Sequence, residues 1–357
     1  MLSVKETLNS QKLLSLILCS RNDSYMGNSR WRLETSINLA LLNAKKAGFL
    51  DLLEIIVSDW GSQIPLRDVL ELVPEAEGRV KFVHTPEDIA IIEQKDSKFP
   101  EVIALNAAAR RASGEYIGRI DNDTVVGAEF FKKFAKLRQK NPTDELDIND
   151  SFLFVERKSI PYRISRLSLP LSQINWFINT FRKFFKIESA TDWGKEFWHS
   201  PVGIMIFQRN IWHACRGYDE TLLYWGWMEG DLALRLGQKH QIVEFSKYVG
   251  YEFYHLEHYS NLVEYKDRNG AATPRKKNTI KLESLNFTEN SYSWGLGSYD
   301  ITLQPYSCNS IVERNKFINS IKLISGLLLL ITDKNKELLS RFASKSKILI
   351  GSINPFK

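Results

Sequence analysis

The chain has 357 residues, 43% hydrophobic and 25% charged, with 19 Gly and 11 Pro, which excludes collagen-like, low-complexity and wholly disordered classes. It carries 48 basic and 42 acidic residues, a net charge of +6. That surplus is too small to indicate a nucleic-acid protein and suits an anionic small substrate or an anionic membrane surface. Cys19, Cys215 and Cys308 are odd in number and far apart, so neither a disulfide framework nor a cysteine metal cluster is expected, and a reducing compartment is. The opening MLSVKETLNSQK lacks the basic start and apolar stretch of a secretory leader. No apolar run reaches the eighteen or so residues of a membrane span. The expectation is a cytoplasmic protein.

In chain order, Leu13–Cys19 reads as a buried strand and Arg32–Ala47 as a helix. Leu53–Ser58 and Val80–His84 are the next strands, Val102–Ala112 an Ala-rich helix, and Tyr116–Asp121 a fourth strand. Continuous apolar runs separated by helices predict βαβ units, hence an α/β fold with a mostly parallel sheet covered on both faces. Ligands bind such sheets at the carboxyl ends of the strands, which nominates Arg21 and Asn22, Asp59, and Asp121 to Asp123. From Arg157 to Lys186 there are seven Lys or Arg and no Asp or Glu, interleaved with Trp176, Phe177, Phe181, Phe184 and Phe185. Ile174–Ile187 has helical spacing. It is read either as a helix packed on the core with a solvated basic edge or as an interfacial helix for anionic lipid. Tyr248–Phe253 is a further strand, and Ile321–Ile331 an apolar helix too short to span a bilayer.

Arg119-Ile120-Asp121-Asn122-Asp123 ends a predicted strand in two carboxylates one residue apart. Such oxygens hold a divalent cation and leave positions open for phosphates, although Asp and Asn also serve ordinary turns. His255 and His258, in Tyr254-His-Leu-Glu-His258, are possible imidazole ligands, with ordinary surface or core histidines as the alternative. Trp193, Trp198, Trp225 and Trp227 could stack on sugar rings or simply fill the core. Asp192 and His199 lie in a loop that could reach the donor sugar, although nothing in their spacing singles them out.

The segment Ala104–Asp123 (ALNAAARRASGEYIGRIDND) resembles the sugar-nucleotide domain of family-two glycosyltransferases, which have the GT-A (Rossmann-like) fold. Leu18-Cys-Ser-Arg-Asn22 is similar to the first strand of the related galactosyltransferases, and Glu54-Ile-Ile-Val-Ser-Asp59 to the family's second strand. The resemblance continues at Gly203–Trp212, at Gly217-Tyr-Asp-Glu220 and at Trp225-Gly-Trp-Met-Glu229-Gly-Asp231, where the galactosyltransferase helix start carries adjacent acidic residues. Here Gly230 separates them.

The resemblance implies an inverting transferase that moves a sugar from a nucleotide-diphosphate donor, UDP-linked, to a glycan or lipid-linked saccharide acceptor in surface polysaccharide synthesis. Arg21, Asn22, Asp59, Arg119 and Asp121 would meet the donor, and Mn²⁺ or Mg²⁺ would sit on Asp121 and Asp123, completed by either His255 or His258. The base would be Glu229, or else Asp231, and Trp225 and Trp227 would meet the acceptor. Helix capping is the structural alternative for both acids. The expected organisation is a GT-A domain over 12–262, divided into a nucleotide-sugar half (12–126) and an acceptor half (127–262). Residues 263–357 form a partly helical extension that contacts a membrane or partner. A non-catalytic glycan- or membrane-binding relative and a nucleotidyltransferase are the competing readings.

Overall fold

In a computed structural model the described residues are 12–138, 146–188, 204–258, 278 and 288–307. Trp193, Trp198, Asp192, His199, Cys308 and the 321–331 run lie outside them. Among the described residues twelve strands form two sheets. The strands are β1 (Leu14–Ser20), β2 (Leu53–Trp60), β3 (Val80–Thr85), β4 (Tyr116–Arg119), β5 (Thr124–Val126) and β6 (Ser151–Phe154). After them come β7 (Arg157–Ile160), β8 (Lys186–Glu188), β9 (Met205–Gln208), β10 (Gln241–Glu244), β11 (Phe253–Leu256) and β12 (Leu303–Pro305). The longer helices are α1 (Ser29–Lys46), α2 (Glu87–Gln94), α3 (Glu101–Arg111), α4 (Ala128–Arg138), α5 (Leu171–Phe181), α6 (Arg209–Ala214) and α7 (Met228–Gly237).

The main sheet has the order β10-β6-β9-β4-β1-β2-β3-β12. β4, β1, β2 and β3 run parallel, as the apolar runs predict. β2 is buried along its whole length, so it needs cover on both faces. Leu14, Leu16 and Leu18 of β1 point into one cluster with Leu33, Ile37 and Leu41 of α1. Ile17 points into the opposite one with Val102, Leu105 and Ala108 of α3. This is the period-two alternation of a strand between two helical layers.

β9 is antiparallel to both β4 and β6, so β6 runs in the direction of β4 and ends at the same edge. The second sheet, β5-β11-β7-β8, starts directly after the Asp121–Asp123 turn. It packs against α5 through Ile174, Phe177 and Ile178, so the amphipathic segment takes the core-packed role. The helix stops at Phe181, and Lys186–Glu188 pairs as a strand with β7. That departs from the helix expected to Ile187, because strand pairing overrides spacing in so short a stretch.

Two other expectations change. The strand expected at Tyr248–Phe253 begins only at Phe253; Ser246–Val249 is one helical turn. The described part of the expected extension is also not separate. β12 pairs antiparallel with β3, while Trp294, Leu296 and Tyr306 are buried in the same clusters as the two helical layers. Arg111 donates to the carbonyls of Gly295, Leu296 and Ile301. Packing therefore does not end at residue 262, and residues 288–307 form turns and a strand rather than helix.

Candidate active site

Parallel register brings the strand ends together: Ser20 of β1 lies beside Asp59 of β2, and Ile120 N donates to Ile17 O at 3.0 Å. Asn122 Nδ2 reaches Ser20 Oγ at 3.2 Å. After this turn β5 pairs antiparallel with β11, with Thr124 opposite His255, and Leu256 N donates to Asp123 O. The pairing explains why Asp123, His255 and His258 meet although 132 residues separate the first two. Their ligating atoms all lie within 4.8 Å of one another, with His258 Nε2 at 3.3 Å and His255 Nε2 at 3.8 Å from Asp123 Oδ2.

Burial pushes the Asp123 carboxyl up, but His255 and His258, with Arg157 farther out, outweigh that and hold it well below the usual carboxylate range. Its Oδ1 is buried without a hydrogen-bond partner. An orphaned carboxylate oxygen beside two imidazoles fits a divalent first-row ion, and a three-residue set leaves positions open for other ligands.

Asp121 stands apart from that triad. Arg119 Nη2 lies 2.9 Å from its Oδ1 and Arg157 Nη1 2.5 Å from its Oδ2, so both oxygens are engaged by guanidinium groups. Arg119 is 2% exposed and also pairs with Glu101 Oε1 at 2.5 Å and Glu229 Oε1 at 3.4 Å. One buried guanidinium thus joins the turn after β4 to the first turn of α7. Burial raises the Glu229 carboxyl to about 7. Arg119 opposes that rise, and the like charges of Glu101 and Asp121 add to it.

Asp231 is differently placed. Arg235 Nε donates to its Oδ2 at 2.8 Å, and Arg235 Nη2 reaches Gly217 O at 2.9 Å. Burial raises this carboxyl as well, but its partner ties α7 to the Gly217 turn. Gly217 has φ +72°, and a Cβ there would lie 2.1 Å from Asn106 Oδ1, so no larger residue fits.

Trp225, Gly226 and Trp227 lead into α7. Trp227 has φ +68°, a left-handed conformation that costs a non-glycine residue energy and needs outside support. Asn278 supplies that support. Its Nδ2 donates to Tyr224 O at 2.6 Å and Gly226 O at 2.7 Å, its Oδ1 accepts from Tyr224 N, and its own N–H donates to Trp225 O. Asn278→Ala is expected to cost about 2–3 kcal/mol, because several loop groups lose partners at once. Thermal unfolding checks this; a loss below about 0.5 kcal/mol would contradict the clamp.

At the other end of the site, Arg21 donates to Lys98 O and stacks over Phe99. Asn22 is held at the 61–66 turn: its N–H donates to Ser62 Oγ and its Nδ2 to Ile64 O. Asp59 is fully buried, with one oxygen accepting from Ser62 Oγ and the other from Leu66 N, 3.0 Å from His84 Nδ1. Its carboxylate therefore faces the 61–66 turn. Glu101, Arg157 and Asn278 are missing from the site read in the sequence. Arg157 was legible in principle, since it follows the carboxyl end of β6, but Ser-Phe-Leu-Phe is too short a run to be read as a strand.

Residues 33–190 match the family model described as Glycosyl transferase family 2. No curated protein matches the chain. Among solved structures it is similar to S. aureus TarS 1–349, at 14% identity and TM-score 0.38, covering 68% of this chain and 60% of that one. It is also similar to the catalytic domain of Drosophila beta1,4-galactosyltransferase 7 in complex with xylobiose. That likeness is 10% identity and TM-score 0.39, covering 80% of this chain and 83% of the other. The chain thus spans less than two thirds of the TarS structure. The family match covers residues 33–190, less than half of the chain, and the mixed sheet with its parallel strands flanked by helices is the arrangement of a GT-A fold.

Proposed function

We propose that the protein is an inverting, metal-dependent transferase that takes its sugar from a UDP-linked donor and delivers it to a hydroxyl of a glycan or lipid-linked saccharide in surface polysaccharide synthesis. The observation that carries this reading is the shared guanidinium of Arg119, which links Glu229 at the start of α7 to Asp121 at the end of β4. A general base must stand next to the donor's reacting carbon, and a carboxyl near 7 takes a proton at neutral pH without holding it too tightly.

Asp123, His255 and His258 would hold Mn²⁺ or Mg²⁺, which when bound supplies positive charge for the departing diphosphate. Glu229 accepts the proton of the acceptor hydroxyl as its oxygen attacks the anomeric carbon on the face opposite the diphosphate. Arg119 keeps that carboxylate aimed. Trp225, 38% exposed in the segment that leads into α7, would offer a face for the acceptor ring, together with Trp227. Arg21, Asn22 and Asp59 shape the nucleotide end, Asp59 through the turn it holds. Asp231 serves α7 rather than the proton transfer.

Incubation with a panel of nucleotide sugars and Mn²⁺ or Mg²⁺ should release nucleoside diphosphate slowly even without acceptor. Absence of both release and nucleotide-dependent thermal shift would leave the non-catalytic glycan- or membrane-binding reading, and release of pyrophosphate from a sugar phosphate and a nucleoside triphosphate the nucleotidyltransferase one. No helix among the described residues is long and apolar enough to cross a membrane. Peripheral contact through the edge that carries exposed Trp176 and Arg182 remains part of the proposal, together with a cytoplasmic location on the inner face of the membrane. Flotation with anionic liposomes tests the contact.

A further inference from the structure

Arg157 opens β7 just beyond the carboxyl end of β6, and its guanidinium lies 2.5 Å from Asp121 Oδ2. Asp121 already has a cation: Arg119 Nη2 sits 2.9 Å from the other oxygen. Arg119 is locked in place, 2% exposed and shared among three carboxylates. Arg157 is 16% exposed on the side chain and enters from the second sheet, from the strand next to β11, which carries His255. It is also close enough to Asp123 to help hold that carboxyl ionised.

The charges of the cluster are informative. Arg32, Arg119 and Arg157 face Glu101, Asp121, Asp123 and Glu229, three positive groups against four acidic ones. A divalent cation on Asp123 turns that deficit into a surplus of one, and a half-protonated Glu229 enlarges it. The surplus matches an incoming anion with more than one negative charge. Arginine's planar fork suits phosphate oxygens, and Arg119 stays on Asp121 when Arg157 turns to an incoming anion.

Resting on the nucleotide-sugar reading above, we infer that Arg157 is a ligand of the donor diphosphate: it lies on Asp121 in the free protein and moves to the phosphate oxygens when the donor binds, leaving Asp121 to Arg119. The competing view is that Arg157 only neutralises Asp121 and never meets the ligand.

The test is calorimetric titration of the full chain in Mn²⁺ with UDP, GDP, CDP and ADP, each compared with its own nucleoside, for wild type, Arg157→Gln and Arg157→Lys. For whichever diphosphate binds, Arg157→Gln should lose at least tenfold in affinity while the nucleoside is unaffected, and Arg157→Lys should recover part of the loss because it keeps the charge without the fork. Unchanged nucleoside affinity also reports that the variants fold. Equal diphosphate affinity in wild type and Arg157→Gln would overturn the inference and leave the donor reading standing. Failure of wild type to bind any of the four diphosphates would overturn the donor reading itself, and this inference with it.

Discussion

Glu229→Gln is expected to lower kcat by about 10²–10⁴-fold, the usual contribution of a positioned base, with binding of Mn²⁺ and nucleoside diphosphate unchanged. The amide keeps the shape of the side chain and its place at the start of α7 but cannot take a proton. Asp231→Asn should instead leave kcat within a fewfold and act on stability, because that carboxylate serves Arg235 and the Gly217 turn. A variant pair with the opposite pattern would move the base to Asp231. The rate of transfer should rise with pH through about 7 as Glu229 ionises, and the limb should vanish in Glu229→Gln.

Stability carries the opposite sign. A carboxyl whose pKa is raised on folding is held protonated in the native state while the unfolded chain has already released its proton. Its penalty is absent below the unfolded value, near 4.3, and fully present above about 7. Glu229→Gln should therefore melt higher than wild type at pH 8 and show no such gain at pH 4. Melting curves at the two pH values decide this, and a loss of stability at pH 8 would mean that the Arg119 contact outweighs burial. A group that costs stability where it does chemistry is the usual trade at an active site.

Asp123→Ala should abolish metal-dependent nucleotide binding. The triad loses its one carboxylate, and two imidazoles alone hold Mn²⁺ or Mg²⁺ poorly, since these ions prefer oxygen. Wild type should gain several degrees in melting temperature with Mn²⁺ plus nucleoside diphosphate and lose them with chelator, as expected when a ligand binds only the folded state. Asp123→Ala should show neither change. His255→Ala and His258→Ala should each weaken the metal response, with His258 the larger because its Nε2 is the nearer to Asp123. A full metal response in Asp123→Ala would refute the triad. Asp121→Asn is the useful contrast: with both oxygens engaged by arginines, it should retain metal binding and lose transfer.

Much of this was readable along the chain because the relevant signals are local. A run such as Leu-Ser-Leu-Ile-Leu-Cys-Ser can satisfy its backbone and bury both faces only inside a sheet, and the acidic residues that follow such runs fall at the ligand edge by topology alone. Asp123 could be nominated in that way, His255 and His258 as possible imidazole ligands after a strand, and Glu229 through the family resemblance. Their division of labour could not. Asp121 and Asp123 look equivalent in Arg-Ile-Asp-Asn-Asp, yet the chain turns between them from one sheet to the other, giving one to two arginines and the other to two histidines.

Glu229 and Asp231 likewise differ only by which side of α7 they occupy: one meets Arg119 from β4, the other Arg235 a helical turn below. The 157–186 stretch read as one basic segment because composition is blind to strand pairing. In space it divides, with Arg157 in the site and Trp176 and Arg182 on an outer edge.

By itself, then, the sequence determined the α/β class, the mostly parallel character of the first strands and the set of titratable residues from which a site could be drawn; the strand order β4-β1-β2-β3 came from the structure. The tertiary structure alone decided which of them meet, that Arg157, Glu101 and Asn278 join them, and that residues 288–307 belong to the main packing unit. The physical reason is range. Apolar periodicity is set by neighbours a few residues away, whereas charge pairing and loop clamps join residues dozens to hundreds of positions apart, and only the assembled sheet fixes those distances.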